Sequence, residues 1–409
     1  MKIGIYGGSF NPPHLGHLRA AEDAARFLGL DRLLLIPAGI PPHKQLSENA
    51  PEPEHRAAMT ALMAEQVSLS TGIPVEMSRM ELQRAGKSYT VDTVRALRKE
   101  YPDAELWLLM GTDMFLSFES WYQPEEILRC VNLCAFGRSE DDSSEMLERQ
   151  RAHLAARWSD ARFEVMILPD VVEISSTELR ALLPGGLGAQ YLTPQIFGYI
   201  LREHLYGTNL DLKRLSIEEL RPIALSYLKA KRVKHVLGTE REAISLAERF
   251  GADVDKARVA ALLHDSTKRL SAEEQFALCE HYGLALDAVE RENPHLLHAR
   301  TGAALARDVF GVDEEIADAI RWHTTGHENM TLLEKVIYLA DYIEPNRSFP
   351  GVDALRAAVR ADLDRGLLMA LEKTVERLGK GNTSAAIHPD SVKARDYLQR
   401  SIENGSIQR

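Results

Sequence analysis

Two fold classes follow one another on this chain of 409 residues: an α/β doubly wound parallel sheet, then an all-α helical bundle. Three observations predict this. Short apolar runs of strand length alternate with helical stretches through the first half, the pattern of parallel βαβ units. That alternation stops near Thr193–Tyr206. From Ser216 onward, apolar residues recur at three- and four-residue intervals with almost no strand pattern.

Taken in order, the strand-length runs are Lys2–Tyr6, Arg32–Pro37, Leu106–Gly111, Asn132–Gly137 and Phe163–Pro169. Helical stretches lie between them at Leu15–Leu28, His55–Ser68 and Thr90–Glu100. This order gives a Rossmann-like sheet. TPQIFGYILREHLY over Thr193–Tyr206 reads as a helix with Pro194 in its first turn and Gly207 beyond its end. Helical segments in the second half include Arg241–Phe250, Lys256–Lys268, Glu314–His323 and Leu332–Ile343. The join is a short polar bridge at Gly207–Lys213, so the expected domains are 1–206 and 207–409.

Composition narrows the function. Hydrophobic residues at 45% and charged residues at 27% exclude disorder as the main state. The net charge is −11 and neither half is basic, which argues against a generic nucleic-acid binder and leaves any phosphate binding to local site chemistry. No apolar run approaches the ~18 residues of a membrane span, and MKIGIYGGSF has no stretch like a signal peptide. Cys130, Cys134 and Cys279 are too few and too scattered for a disulfide framework. The expectation is a cytoplasmic protein with small-molecule partners, no nucleic acid and no membrane; homo-oligomerisation is left open.

The first strand runs into Gly7-Gly8-Ser9-Phe10-Asn11-Pro12-Pro13-His14-Leu15-Gly16-His17. Two glycines at a strand end let a phosphate approach the backbone with no Cβ in the way. A helix beginning near His14 adds free N–H groups and a positive dipole end. His14 and His17, three apart, can turn both rings toward one ligand. A plain tight turn would not need two histidines and two prolines in the same eleven residues. Further on, Ser175 and Glu178 form an S-x-x-E helix start, with Arg180 one turn in, where a guanidinium can clamp phosphate oxygens. Lys44 follows the second strand in Pro41-Pro42-His43-Lys44. Ser88-Tyr89-Thr90 opens a helix whose N–H groups suit a carboxylate, and Trp121 is either a stacking platform or a half-buried core residue.

In the second half, His264-Asp265 follows the apolar run Val259–Leu263, where a charged aspartate needs a partner that a metal supplies. His235, His298, His323 and Asp341 lie on other helical segments and would meet it only in the fold, as in bundle-core metal sites. Lys268 and Arg347 are either polyphosphate-neutralising cations or solvated lysine and arginine. His295 and His327 stay ambiguous.

The motifs GGSFNPPHLGH, PPHK, KSYTVDT, GTDMFLSFESW and ISSTELR, in this order, resemble the HxGH nucleotidyltransferases, and among them the bacterial nicotinate-nucleotide adenylyltransferases. The resemblance implies ATP with Mg²⁺ and transfer of AMP to nicotinate mononucleotide. It places His14, His17, Lys44 and Arg180 in catalysis and Tyr89, Thr90 and Trp121 at the acceptor. Gly7, Gly8, Ser9, Phe10, Gly111, Asp113, Ser175, Ser176 and Thr177 would bind ATP, Asp113 near its ribose. Pantetheine-phosphate adenylyltransferase is the rival within the same chemistry.

The order H…HD…H…H…D, with ALLHDSTK, RWHT and TLLEKVIYLADYIEPNR, resembles the HD-domain phosphohydrolases, and within them the symmetrical diadenosine tetraphosphate hydrolases. This implies an HD-domain helical bundle with two divalent transition metals, Fe or Mn. The implied ligands are His235, His264, Asp265, His298, His323 and Asp341, Asp265 bridging the metals with Lys268 beside it. A non-catalytic nucleotide sensor is the rival reading for this half.

Overall fold

The structure, a computed structural model, describes residues 1–40, 50–138, 143–168, 172, 174–379 and 387–404. The chain divides into two compact units, Met1–Asn209 and Leu210–Arg409.

Unit 1 runs β1 (Lys2–Gly8), α1 (Leu15–Leu28), β2 (Arg32–Pro37), α2 (Pro53–Thr71), β3 (Val75–Met77), α3 (Thr90–Glu100), β4 (Glu105–Gly111), α4 (Thr112–Leu116), α5 (Pro124–Cys130), β5 (Asn132–Arg138), α6 (Ser143–Arg157), β6 (Phe163–Leu168), α7 (Ser176–Leu182) and α8 (Pro194–Arg202). Every strand pairing is parallel, in the order β3-β2-β1-β4-β5-β6. Ile3 and Ile5 of β1, Leu34 and Ile36 of β2, and Leu106, Leu108 and Met110 of β4 point into one buried layer with α3, α5 and α6. Tyr6, Leu33, Leu35, Trp107 and Leu109 point into the other, with α1 and α2. Burial on both faces is why these strands read as unbroken apolar runs. Strand order reverses between β1 and β4, and at such a switch point an open α/β sheet leaves a crevice beyond its strand ends.

Unit 2 is helical: α9 (Ile217–Ser226), α10 (Ala230–Phe250), α11 (Val254–Leu263), α12 (Ala272–His281), α13 (Ala288–Glu292), α14 (Leu297–Phe310), α15 (Glu314–Trp322), α16 (Leu332–Ile343), α17 (Val352–Ala361), α18 (Leu363–Gly379) and α19 (Pro389–Glu403). Helix α10 packs on α11 and α16, and α14 on α15. No described helix is long and apolar enough to cross a membrane.

Two sequence expectations need correction. The helix expected over Lys256–Lys268 ends at Leu263, so His264 caps it and Asp265 lies in the turn beyond. The apolar period continues past the end because the turn is itself buried. The helix expected over Thr193–Tyr206 ends at Arg202, and His204 and Tyr206 adopt positive φ.

Candidate functional sites

In unit 1 a cleft of about 1420 Å³ opens at the C-terminal ends of β1 and β4. Gly7-Gly8-Ser9, His14 and His17 form part of its lining. A Cβ on Gly7 would meet nothing within 4 Å, so the backbone there faces open space. His14 is the N-cap of α1, and its backbone N–H donates to His17 Nδ1 at 3.2 Å. The two rings lie 3.9 Å apart, centroid to centroid. Burial, reinforced by His14, holds His17 well below its ordinary value. The ring is therefore neutral at pH 7. Because Nδ1 accepts, the proton must sit on Nε2.

Four side chains hold the loop between β1 and α1. Arg180 Nη1 donates to the Asn11 carbonyl at 2.7 Å while its Nη2 donates to Thr177 Oγ1 at 3.1 Å. Ser176 Oγ donates to the Pro12 carbonyl at 3.3 Å. Tyr206 Oη donates to Asn11 Oδ1 at 2.8 Å. Arg56, which sequence reading passed over, donates to the Ser9 carbonyl at 3.0 Å. Ser175 and Glu178 make the expected reciprocal cap of α7. Phe10 is fully buried, in T-shaped contact with both the Tyr6 and the His17 ring, and does not line the cleft. Its part is to support the loop from below. Lys44 lies outside the described residues.

Tyr89, Thr90, Gly111, Asp113 and Trp121 also line the cleft. Helix α3 starts at Thr90 with no side-chain cap, which leaves its first N–H groups available. Trp121 is half-buried, its ring 5.5 Å from Phe118, and so is both core rim and cleft wall. Glu81 was not foreseen. It accepts from Thr93 Oγ1 at 2.7 Å, and burial raises its carboxyl.

Unit 2 gathers six side chains from five helices. His235 comes from α10, His264 and Asp265 from the end of α11, His298 from α14, His323 from the end of α15 and Asp341 from α16. His235 Nε2 is 2.9 Å from Asp341 Oδ1, and His264 Nε2 is 3.5 Å from Asp265 Oδ2. His298 Nε2 and His323 Nε2 stand 3.4 and 4.0 Å from Asp265 Oδ1. The other ring nitrogens are all occupied. His264, His298 and His323 place Nδ1 against the carbonyls of Ala261, His295 and Ile320, at 2.6 to 2.7 Å. His235 Nδ1 lies 3.1 Å from Glu344 Oε1. Donation from Nδ1 fixes each tautomer so that Nε2 offers its lone pair to the centre.

Charge around the centre is tightly balanced. Burial would raise the Asp265 carboxyl, but His264, His298 and Arg232 outweigh it and hold it well below its ordinary value. His298 is pushed well below its ordinary value by burial and Lys268, and His323 down to about 4 by burial and His264. His264 is the exception: burial pulls it down, yet Asp265 and Asp341 raise it overall. His264 Nε2 and Asp265 Oδ1 are buried and make no hydrogen bond. Two overlapping donor groups emerge, His235-His264-Asp341 and His264-Asp265-His323. Imidazoles with carboxylates, orphaned toward one point, fit divalent Fe, Mn or Zn. Cations rim the set: Arg232 pairs with Asp265, Arg347 donates to Asp341 Oδ1 at 2.8 Å, and Lys268 Nζ lies 3.0 Å from His298 Nε2. His327 is drawn away to Glu334, at 3.0 Å. Arg232 and Glu344 were not foreseen. The structure admits no side chain at Gly238 beside Glu344, since a Cβ there would come within 2.2 Å of Glu344 Oε2.

A nucleotide cleft at the switch point of a parallel sheet, joined in one chain to a histidine–aspartate bundle centre, defines a nucleotidyltransferase followed by an HD-type hydrolase. The cytidylyltransferase-like family matches residues 5–182 and the HD domain family residues 232–346. A "Probable nicotinate-nucleotide adenylyltransferase" of Pelobacter propionicus is 36% identical over 229 residues, 51% of this chain and 99% of that protein. The symmetrical bis(5'-nucleosyl)-tetraphosphatase of Bacillus subtilis is 43% identical over 182 residues, 44% of this chain and 96% of its own. A crystal structure described as an HD superfamily hydrolase involved in NAD metabolism, from Clostridium acetobutylicum, aligns at 41% identity, covering 46% of this chain and 98% of that one with a TM-score of 0.43. The chain belongs to both families: nicotinate-nucleotide adenylyltransferases through its N-terminal half, symmetrical bis(5'-nucleosyl)-tetraphosphatases through its C-terminal half. Both are families of enzymes.

Two outcomes follow from these contacts. Glu344→Ala leaves the His235 Nδ1–H without its acceptor, so Mn²⁺ affinity of the full chain falls about 10–100-fold in chelator competition. Unchanged affinity would remove His235 from the ligand set. Second, the unfolded chain protonates His17, His298 and His323 below about pH 6.5, whereas the fold keeps them neutral. Stability therefore falls as pH drops from about 6.5 toward 4, by at most about 1.4 kcal/mol per pH unit for each histidine. Denaturant midpoints should be lower at pH 5 than at pH 7.5, and equal midpoints would mean that these rings take up protons in the fold.

Proposed function

We propose that residues 1–206 transfer AMP from ATP to nicotinate mononucleotide, giving nicotinate adenine dinucleotide and pyrophosphate. Residues 207–409 would split diadenosine tetraphosphate symmetrically into two ADP, both reactions taking place in the cytoplasm. The observation that carries the first reading is His17 beside the Gly7-Gly8 turn, its Nε2 a donor with a fixed tautomer. The one that carries the second is the convergence of four Nε2 atoms on Asp265 and Asp341.

In the transfer, a phosphate oxygen of the mononucleotide attacks the α-phosphorus of ATP in line and pyrophosphate leaves. No protein nucleophile is needed, so positioning and charge stabilisation carry the catalysis. His17 Nε2–H donates to the oxygen on which charge builds, and His14, as N-cap, aims the α1 N–H groups at the phosphates. Lys44 and Arg180 add positive charge there, and Asp113 meets the ribose. At the acceptor end the α3 N–H groups take the nicotinate carboxylate while Trp121 faces the ring. Mg²⁺ would neutralise the triphosphate.

In the hydrolysis, His235, His264, Asp265, His298, His323 and Asp341 would hold two Fe or Mn ions. Such metals supply Lewis acidity toward phosphate and lower the pKa of water. Lys268, Arg232 and Arg347 neutralise the polyphosphate chain as it settles on the centre.

The experiment is a product assay on the full chain with Mg²⁺ and Mn²⁺. Nicotinate mononucleotide with ATP should release pyrophosphate, and diadenosine tetraphosphate should give ADP alone. Turnover only with phosphopantetheine would overturn the acceptor. A metal-replete chain without hydrolysis would make the second half a sensor. His17→Ala should cost about 2.7–4 kcal/mol of transfer, some 10²–10³-fold, and leave hydrolysis intact. Asp265→Ala should do the reverse.

A further inference from the structure

Helix α2 carries an arginine that this mechanism leaves unused. Arg56 lies in the apolar layer of Met59, Leu62 and Met63 and is 1% exposed. Its Nη1 donates to two carbonyls, Ser9 after β1 at 3.0 Å and Ala38 after β2 at 2.7 Å. Among the described residues no carboxylate comes within 4.0 Å of it. The more exposed Arg221 and Arg300 each face a carboxylate, Glu240 and Glu290, at 2.7 and 2.6 Å. Burial lowers the pKa of Arg56, but a guanidinium starts so high that it stays charged. Joining two carbonyls would need only a neutral donor. A whole buried charge costs free energy unless an anion completes it, and Ser9, which Arg56 holds, lines the cleft.

We propose that Arg56 is a positioning residue for the polyphosphate of ATP, fixing the Gly7–Ser9 turn from behind and lending it a positive potential that the bound nucleotide neutralises. In the dry interior that potential reaches the cleft with little screening. The proposal rests on the adenylyl-transfer reading, but only on its donor side.

The test uses the full chain with Arg56→Met and Arg56→Lys, and reads KM for ATP and for nicotinate mononucleotide from pyrophosphate release. Arg56→Met should raise the ATP KM about tenfold or more and leave the acceptor KM within about twofold; Arg56→Lys, which keeps the charge, should stay within about threefold for both. An ATP KM unchanged in Arg56→Met overturns the proposal, as does an Arg56→Lys no better than Arg56→Met. If circular dichroism shows Arg56→Met unfolded, Arg56→Gln replaces it, keeping donors for the carbonyls without the charge, and the same thresholds decide. Failure of the acceptor reading is seen separately, as a parent chain that releases pyrophosphate only with a different acceptor; the Arg56 ratios are then read with that acceptor.

Discussion

A charge taken out of water must be answered by another charge, and both units are organised around one that the fold by itself answers only in part. In unit 1 it is the Arg56 guanidinium beneath the turn after β1. In unit 2 it is the Asp265 carboxylate, 1% exposed, amid imidazoles that burial tends to keep neutral. Each is 1% exposed, so neither reaches solvent. A ligand of opposite sign is the remaining relief. A chain of net charge −11 can in this way still present positive charge at one place.

The two units reach that end by different means. Unit 1 works largely with backbone: an open turn at Gly7, a helix start at Leu15, another at Thr90. Its side chains from α2 and α7 stand behind the loop and hold the main chain in place. Unit 2 works with side chains, and the backbone stands behind them. Three of its histidines lean on the carbonyl three residues earlier, which sets their rings by the same turn geometry each time. Positioning a charged polyphosphate calls for many weak donors, whereas holding metal ions calls for a few strong ones at fixed angles.

Much of this was legible in the sequence, and what was missed has physical reasons. Both faces of β1, β2 and β4 are buried, so their apolar runs stood out, whereas β3 has three residues and left no periodic mark. The HD pair showed itself as charge following an apolar run. The helix end at Leu263 did not, because the turn after it is as buried as the helix. Arg56 and Arg232 were invisible for a common reason: a lone arginine among helical residues reads as a solvated face. Glu344 looked like one acid among many. Its contact with His235 Nδ1, made only in the fold, gives it meaning.

The hydroxyl of Tyr206 touches the amide of Asn11, almost two hundred residues earlier, from just before the bridge to the second unit. The last turn of unit 1 is thus stitched into the loop between β1 and α1 rather than trailing from it as spacer. Anyone dissecting the two halves for separate expression meets a boundary condition here. A fragment stopped after α8 would retain every strand of unit 1 and yet lose one of the stays of the loop between β1 and α1, whereas a cut beyond Asn209 keeps it.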